Sequence, residues 1–242
     1  MSDENNQLIL VSGFSGMGKS ASLMNIRDQD EWQYFGTEAG KRLPFANKFN
    51  VQNITDPYDV HDFFEECITE PSVKGIVVDS LTFLMDMFNT QYIYNSADGR
   101  TAWNDYAQYF RKLMMELVPK FGRPVIFTAH VRNDVDENSG KNVVQVPIQG
   151  NLRGVSVESF FSTVVSAKAL PIKDLNDYKN DMLNITDEER LLDLKHVFQT
   201  RLTKHTTGER VRSPIGFFGV NETFIDNDCQ LLLDHLDKMY KG

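Results

Sequence analysis

The stretch Gly13-Phe14-Ser15-Gly16-Met17-Gly18-Lys19-Ser20 decides how this chain is read. It fills every position of G-x-x-x-x-G-K-[ST], the pattern of a phosphate-binding loop. The apolar run Leu8-Ile9-Leu10-Val11 before it reads as a buried strand, and Lys19–Arg27 after it reads as a helix. The chemistry needs these residue types. Glycines let successive backbone N–H groups wrap a phosphate, and a following helix turns its positive end toward it. The expected nucleotide-binding set is Gly13, Phe14, Ser15, Gly16, Met17, Gly18, Lys19, Ser20 and Ala21. Lys19 would reach the β- and γ-phosphates and the Ser20 hydroxyl would ligate the metal, so ATP and Mg2+ are the expected cofactors. A Gly/Ser-rich turn that matches by accident is the other reading, expected in on the order of one chain in a hundred at average residue usage.

Outward from this loop, strands and helices alternate. Trp32–Thr37 is aromatic and strand-like, and Gly75-Ile76-Val77-Val78-Asp79 is a second buried strand. Asp56-Pro57 starts a helix, with Asp56 as cap and Pro57 in the first position. Trp103, Tyr106, Phe110, Leu113 and Leu117 recur at helical spacing, so Thr101–Val118 is predicted as a long amphipathic helix. Pro124–Ala129 is another apolar strand. This alternation predicts an α/β fold with a mainly parallel central sheet flanked by helices. The tail is predicted β-rich: strands at Leu194–Leu202, Arg210–Pro214 and Phe217–Val220, with Thr206–Glu209 as a hairpin turn. Val131–Gly150 reads as a long polar loop and 171–189 as an acidic surface insertion. With no repeat and no linker, residues 1–242 are expected to form one domain, with a core of about 7–220 and a tail of 221–242.

Composition narrows the class. The 242 residues carry 25 Lys+Arg and 34 Asp+Glu, a net charge of −9, with 41% apolar residues. Those proportions argue against disorder and fibres. No apolar run approaches the roughly 18–20 residues that span a bilayer. Cys67 and Cys229 lack metal-knuckle spacing, so a reducing, cytoplasmic location and no membrane partner are expected. The acidic average conceals basic stretches: Lys195, Arg201, Lys204, Arg210 and Arg212 face one acid, Glu209, between 195 and 213.

Two carboxylates stand at predicted strand ends. Asp79 closes Ile76-Val77-Val78, where open α/β sheets bind ligands, and could hold the Mg2+ shell. Capping the helix that begins near Ser80 is its other reading. Glu38 follows Trp32–Thr37 and could polarise an attacking water, although surface glutamates are common.

The P-loop, then Thr37-Glu38, then Ile76-Val77-Val78-Asp79-Ser80-Leu81, then Val125-Ile126-Phe127-Thr128-Ala129-His130-Val131-Arg132 resembles the ATPase core of RecA/RadA-type recombinases. It is especially similar to short phage-encoded RecA-like proteins linked to single-strand annealing, over roughly Leu8 to Phe218. The resemblance implies a RecA-like P-loop NTPase fold with a β-rich C-terminal extension. It makes Glu38 the catalytic glutamate and Lys19 a catalytic partner. His130 takes the sensor position, which is usually Gln in that family. It makes Met85–Gly99, with Phe88, Tyr92 and Tyr94, the first DNA-binding loop, and Val131–Asn151, with Arg132, Lys141 and Arg153 in or beside it, the second. Aromatics beside cations suit single strands, although most Phe and Tyr side chains are core residues. Asp134, Asp136 and Glu137 in the second loop depart from the pattern by repelling phosphate. Arg201 and Lys204 match cations that reach a neighbouring subunit's ATP site; a solvated basic ribbon is the alternative.

The expected function is therefore ATP hydrolysis coupled to single-stranded DNA in phage-type recombination, repair or annealing. A homo-oligomer, ring or filament, is the expected assembly, with a single-stranded-DNA-binding protein as a further partner. Two other readings stay open: a nucleotide-gated interaction module with little hydrolysis, and a P-loop kinase of small molecules, for which the polar loop has few arginines.

Overall fold

The alternation of apolar strands and amphipathic helices places the strands side by side, buried on both faces. The computed structural model describes residues 5–38, 40–135, 140, 142–152 and 156–242. In chain order the elements are β1 (Leu8–Gly13), β2 (Trp32–Gly36), β3 (Asn50–Asn53), α1 (Pro57–Thr69), β4 (Gly75–Asp79), α2 (Leu81–Phe88) and α3 (Gly99–Lys112). Then follow α4 (Val118–Phe121), β5 (Val125–His130), β6 (Arg132–Val135), β7 (Asn142–Gln145), β8 (Thr163–Leu170), α5 (Asp187–Leu192), β9 (Lys195–Gln199), β10 (Phe224–Asp226) and α6 (Cys229–Lys241). Eight strands form one sheet in the order β10-β9-β8-β1-β5-β4-β2-β3. From β3 to β8 every neighbour is parallel, and β9 and β10 extend that edge antiparallel. The mainly parallel sheet flanked by helices is the fold expected from the sequence.

Each face has its own apolar layer. Val60, Phe64, Leu84, Phe110 and Leu117 cover one face from α1–α3 and the turn after α3. Leu23 and Ile26 join Leu232, Leu233 and Leu236 of α6 on the other. The capping expectation at Asp56 is met: its carboxylate accepts from Tyr58 N, Asp59 reciprocates, and Pro57 stands in the first position. The long helix runs from Gly99 as α3, widens over Leu113–Leu117 and ends as α4.

Three expectations change. The helix predicted over Lys19–Arg27 is a single 3-10 turn, Ser20–Leu23. Ser22 Oγ donates to the Lys19 carbonyl at 2.6 Å, taking an acceptor that a continuing helix would use, a known competition of serine with the backbone. The basic hairpin is absent too. β9 pairs with β8 and with β10, and the residues predicted as Arg210–Pro214 and Phe217–Val220 strands contribute one bridge, Arg212 to Val164. Pairing of β8 with β9 begins at Ser166, so Arg212 meets β8 only where that edge is open. Finally, segment 221–242, expected as a tail, supplies β10 to the sheet and α6 to the core.

Candidate active site

Parallel strands deliver their C-terminal ends to one edge of the sheet, and the chemistry-bearing residues collect there. Gly13 ends β1, Asp79 ends β4, His130 ends β5, and Glu38 lies two residues past β2. Asp79, His130 and Glu38 line a cavity of about 630 Å³ together with Ser15, Gly16, Gly18, Lys19, Ser20 and Ala21, whereas Gly13, Phe14 and Met17 of the expected set do not line it. Gly16 (φ +80) and Gly18 (φ +88) are left-handed, a backbone that glycine adopts without strain, and nothing lies within 4 Å of where a Gly16 Cβ would stand. The loop thus presents an open concave backbone, the shape a phosphate chain needs.

Lys19 is buried and donates to the carbonyls of Gly13 (3.0 Å) and Phe14 (2.9 Å). Desolvation lowers its pKa to about 8, against the pull of Asp79 and Glu38. Its Nζ also stands 3.4 Å from His130 Nδ1, and the other ring nitrogen is 3.5 Å from Glu38 Oε1. An ammonium has only donors, so Nδ1 accepts from it and the ring proton sits on Nε2, facing Glu38. Burial and Lys19 lower the His130 pKa, so this imidazole is neutral at pH 7. The backbone N–H of His130 donates to Thr82 Oγ1 (2.9 Å), which holds the strand end in place.

Glu38 is positioned by the residue before it. Thr37 N donates to the Asp79 carbonyl at 2.9 Å, Thr37 Oγ1 donates to the Ser80 carbonyl at 2.8 Å, and Ser80 N donates to Thr37 Oγ1 at 2.8 Å. These bonds stitch the ends of β2 and β4 together, and the Glu38 carboxylate lies against Lys41 (2.6 Å) as well as His130. Asp79 is buried, with Tyr34 Oη donating to Oδ2 at 2.8 Å and Thr128 Oγ1 to Oδ1. It caps no helix: Ser80 holds the cap position of α2. Ser20 and Asp79 both line the cavity, an oxygen donor set that suits a hard divalent cation.

The DNA and trans-acting candidates do not gather here. Phe88 is in the core, 1% exposed, and has no free face for a base. Met85–Ile93, expected as a loop, is helical, because Phe88 packs on Tyr106 and Tyr109 and draws the segment onto α3. Tyr92 packs on Tyr58 and donates to Asp56 Oδ2, and only Tyr94 projects, 66% exposed. Arg132 opens the β6–β7 hairpin and bonds Asp134 at 3.0 Å. Lys141 and Arg153 lie outside the described residues. β9 runs antiparallel to β8, which carries Arg201 and Lys204 to the edge opposite the P-loop. Arg201 there donates to the Phe218 carbonyl at 2.6 Å, and neither residue lines its own cavity.

Sequence reasoning missed the supporting residues Tyr34, Thr128, Thr37, Lys41 and Thr82. Thr37, next to Glu38, and Lys41, three positions after it, stood close to it in sequence; Tyr34, Thr128 and Thr82 act on residues more than 40 positions away. Among the described residues no helix is long and apolar enough to cross a membrane. A family model described as an AAA domain matches residues 5–200. No curated protein matches the chain.

Proposed function

The chain belongs to the AAA domain family, a class of nucleotide-binding P-loop NTPases, and from that premise we propose that it hydrolyses ATP and couples the phosphate state to single-stranded DNA. The observation that carries the proposal is the position of His130, between the P-loop lysine and Glu38 and at the last residue of β5, with β6 opening two residues later. Any rearrangement of Lys19 as it leaves its loop carbonyls for a phosphate alters the partner of His130 Nδ1. That change passes through the backbone into the β6–β7 hairpin. Glu38, aligned by Thr37, orients the attacking water as general base. Ser20 and Asp79 would hold Mg2+, which supplies charge neutralisation at the phosphates when bound. The hairpin and Tyr94 form the DNA-facing surface, and a neighbouring copy completes the site through Arg201 or Lys204. In this reading the protein serves phage-type recombination or annealing.

The test is ATP turnover with and without single-stranded DNA at two salt concentrations. Stimulation that fades as salt rises is expected, because phosphate contacts release counterions. Glu38→Gln should retain nucleotide binding and lose turnover by roughly 10²-fold or more, the scale of general-base contributions. Turnover indifferent to DNA refutes the coupling. A second reading, a nucleotide-gated interaction module, is favoured by the packing of Phe88 and Tyr92 and the pairing of Arg132 with Asp134. Stoichiometric ATP binding with negligible turnover identifies it.

A further inference from the structure

Away from the P-loop, the helical layer of α1 and α3 carries a trough that shares no lining residue with the active-site cavity. On α3 its lining recurs at helical spacing, Thr101, Ala102, Asp105, Gln108, Tyr109 and Lys112, so one stripe of that helix forms a wall. The facing wall comes from α1 through Tyr58, His61 and Asp62. Two hollows make up the trough, of about 190 and about 660 Å³, and Tyr58 and Asp105 line both. In the smaller one the rings of Tyr58, Phe88 and Tyr92 lie together, with centroids 5.6, 5.1 and 5.2 Å apart. The Tyr92 hydroxyl already donates to Asp56 Oδ2 at 2.5 Å, so what this residue offers a ligand is its electron-rich ring.

The larger hollow is lined by exposed apolar surface, Met115 at 63% and Tyr58 at 39%. His61 is stacked on Tyr109 at 4.3 Å and donates from Nε2 to the Tyr109 carbonyl at 3.1 Å. Burial, with Lys112 nearby, lowers its pKa to about 4, so it is neutral and adds no positive charge. Asp62, Asp105 and Glu116 line the trough and bond no other described residue through their carboxylates, while Asp98 is engaged in capping α3. Lys112 is paired with Glu65 at 3.0 Å, which leaves Arg111 as the lining cation without a carboxylate partner among the described residues. The excess charge is negative, which disfavours phosphate and carboxylate ligands. A metal ion fits no better, because among the described residues no three His, Cys, Asp or Glu side chains converge on one point. The carboxylates are spread out instead: Asp105 and Glu116 stand on one helical run, about 16 Å apart at 1.5 Å per residue.

We propose that this trough binds a linear aliphatic polyamine. One ammonium lies against Asp105 and the rings of Tyr58 and Tyr92, the methylenes lie on Tyr58 and Met115, and a further ammonium reaches Asp62 or Glu116. Cations separated by methylenes match both features of the trough, carboxylates spaced apart and aromatic or apolar surface between them. The site stands independently of the reading of the P-loop.

The experiment is calorimetric titration of the full chain with spermidine at physiological ionic strength and without nucleotide. Wild-type protein should take up one spermidine. Asp105→Asn should weaken it about fivefold, the upper end for an exposed ion pair. Tyr58→Leu, which keeps an apolar contact and removes the ring, should weaken it about threefold. Glu188→Gln, an exposed carboxylate of α5 outside the trough, should leave the affinity unchanged, and all three variants should keep the wild-type circular dichroism spectrum. No uptake by the wild-type protein, equal weakening in Glu188→Gln, or full affinity in Asp105→Asn overturns the proposal. A tetralysine peptide that binds more tightly than spermidine, with the same loss in Asp105→Asn, overturns the free polyamine as occupant in favour of a lysine-rich protein segment.

Discussion

Replacing Tyr34 with Phe removes one oxygen and leaves the ring. That oxygen donates to Asp79 Oδ2 at 2.8 Å, and Asp79 is 3% exposed, so water cannot readily take its place. The ring keeps its stacking on Phe49 at 5.8 Å. Burial, with the Asp79 charge beside it, holds the phenol far above its ordinary pKa, so it stays protonated and donating across the working range. A hydrogen bond to a charged group contributes about 1.5–3 kcal/mol, and relief of the buried hydroxyl's own desolvation trims this, giving about 2 kcal/mol lost in Tyr34→Phe. For a chain of this size that is a fall of roughly 4–8 °C in Tm. Thermal unfolding followed by circular dichroism measures it. The same variant frees the candidate metal carboxylate to reorient, so the Mg2+ concentration needed for ATP binding should rise. A Tm within about 1 °C of wild type and an unchanged Mg2+ requirement would show that Tyr34 does not hold Asp79.

Other perturbations test separate parts of the structure. Lys19 has its pKa lowered from 10.5 to about 8 by burial, so the native state holds fewer protons than the unfolded chain between those values. This group therefore makes folding stability rise with pH across that window, while affinity for ATP, which needs the ammonium, should fall above about pH 8. An affinity that stays level from neutral pH to pH 10 contradicts the burial argument. Gly75→Ala would put a Cβ 2.4 Å from the Trp32 ring, and an overpacked core of this kind costs about 1–3 kcal/mol, read as a lower urea midpoint. A midpoint equal to wild type would mean the ring moves aside freely. Burial pushes the thiols of Cys67 and Cys229 up to about 11 and about 12, so neither should react with a disulfide reagent at pH 8 until the chain unfolds. Rapid labelling of the native protein would place one of them at the surface.

Local pattern was enough for much of this molecule. The P-loop is a contiguous motif whose glycines answer a local backbone demand, which Gly16 and Gly18 meet with positive φ. β1, β2, β4 and β5 were legible because a buried parallel strand is a short apolar run. Asp79 followed from closing such a strand, whereas Glu38 came from the resemblance, because on its residues alone a surface glutamate was the favoured reading. What the pattern could not carry was competition between segments for the same place. Phe88 and Tyr92 looked like loop aromatics until α1 and α3 supplied the surfaces they pack on. Lys19–Arg27 carried the marks of a helix, and one serine hydroxyl together with the docking of α6 decided otherwise. The edge beside β8 could accept either β9 or the 210–214 segment. Extended pairing with β9, continued by β10, filled most of it and left Arg212 a single bridge. The sequence by itself marked the P-loop and put Asp79 at the end of a buried strand, because those depend on neighbours in the chain and on strand ends. Tertiary structure alone decided that Tyr34 and Thr128 orient Asp79, that His130 spans Lys19 and Glu38, and that Asn227, 209 residues after Gly18, closes the loop. Those contacts join residues far apart in sequence, and they exist only once the sheet has brought β4, β5, β1 and β10 to one edge.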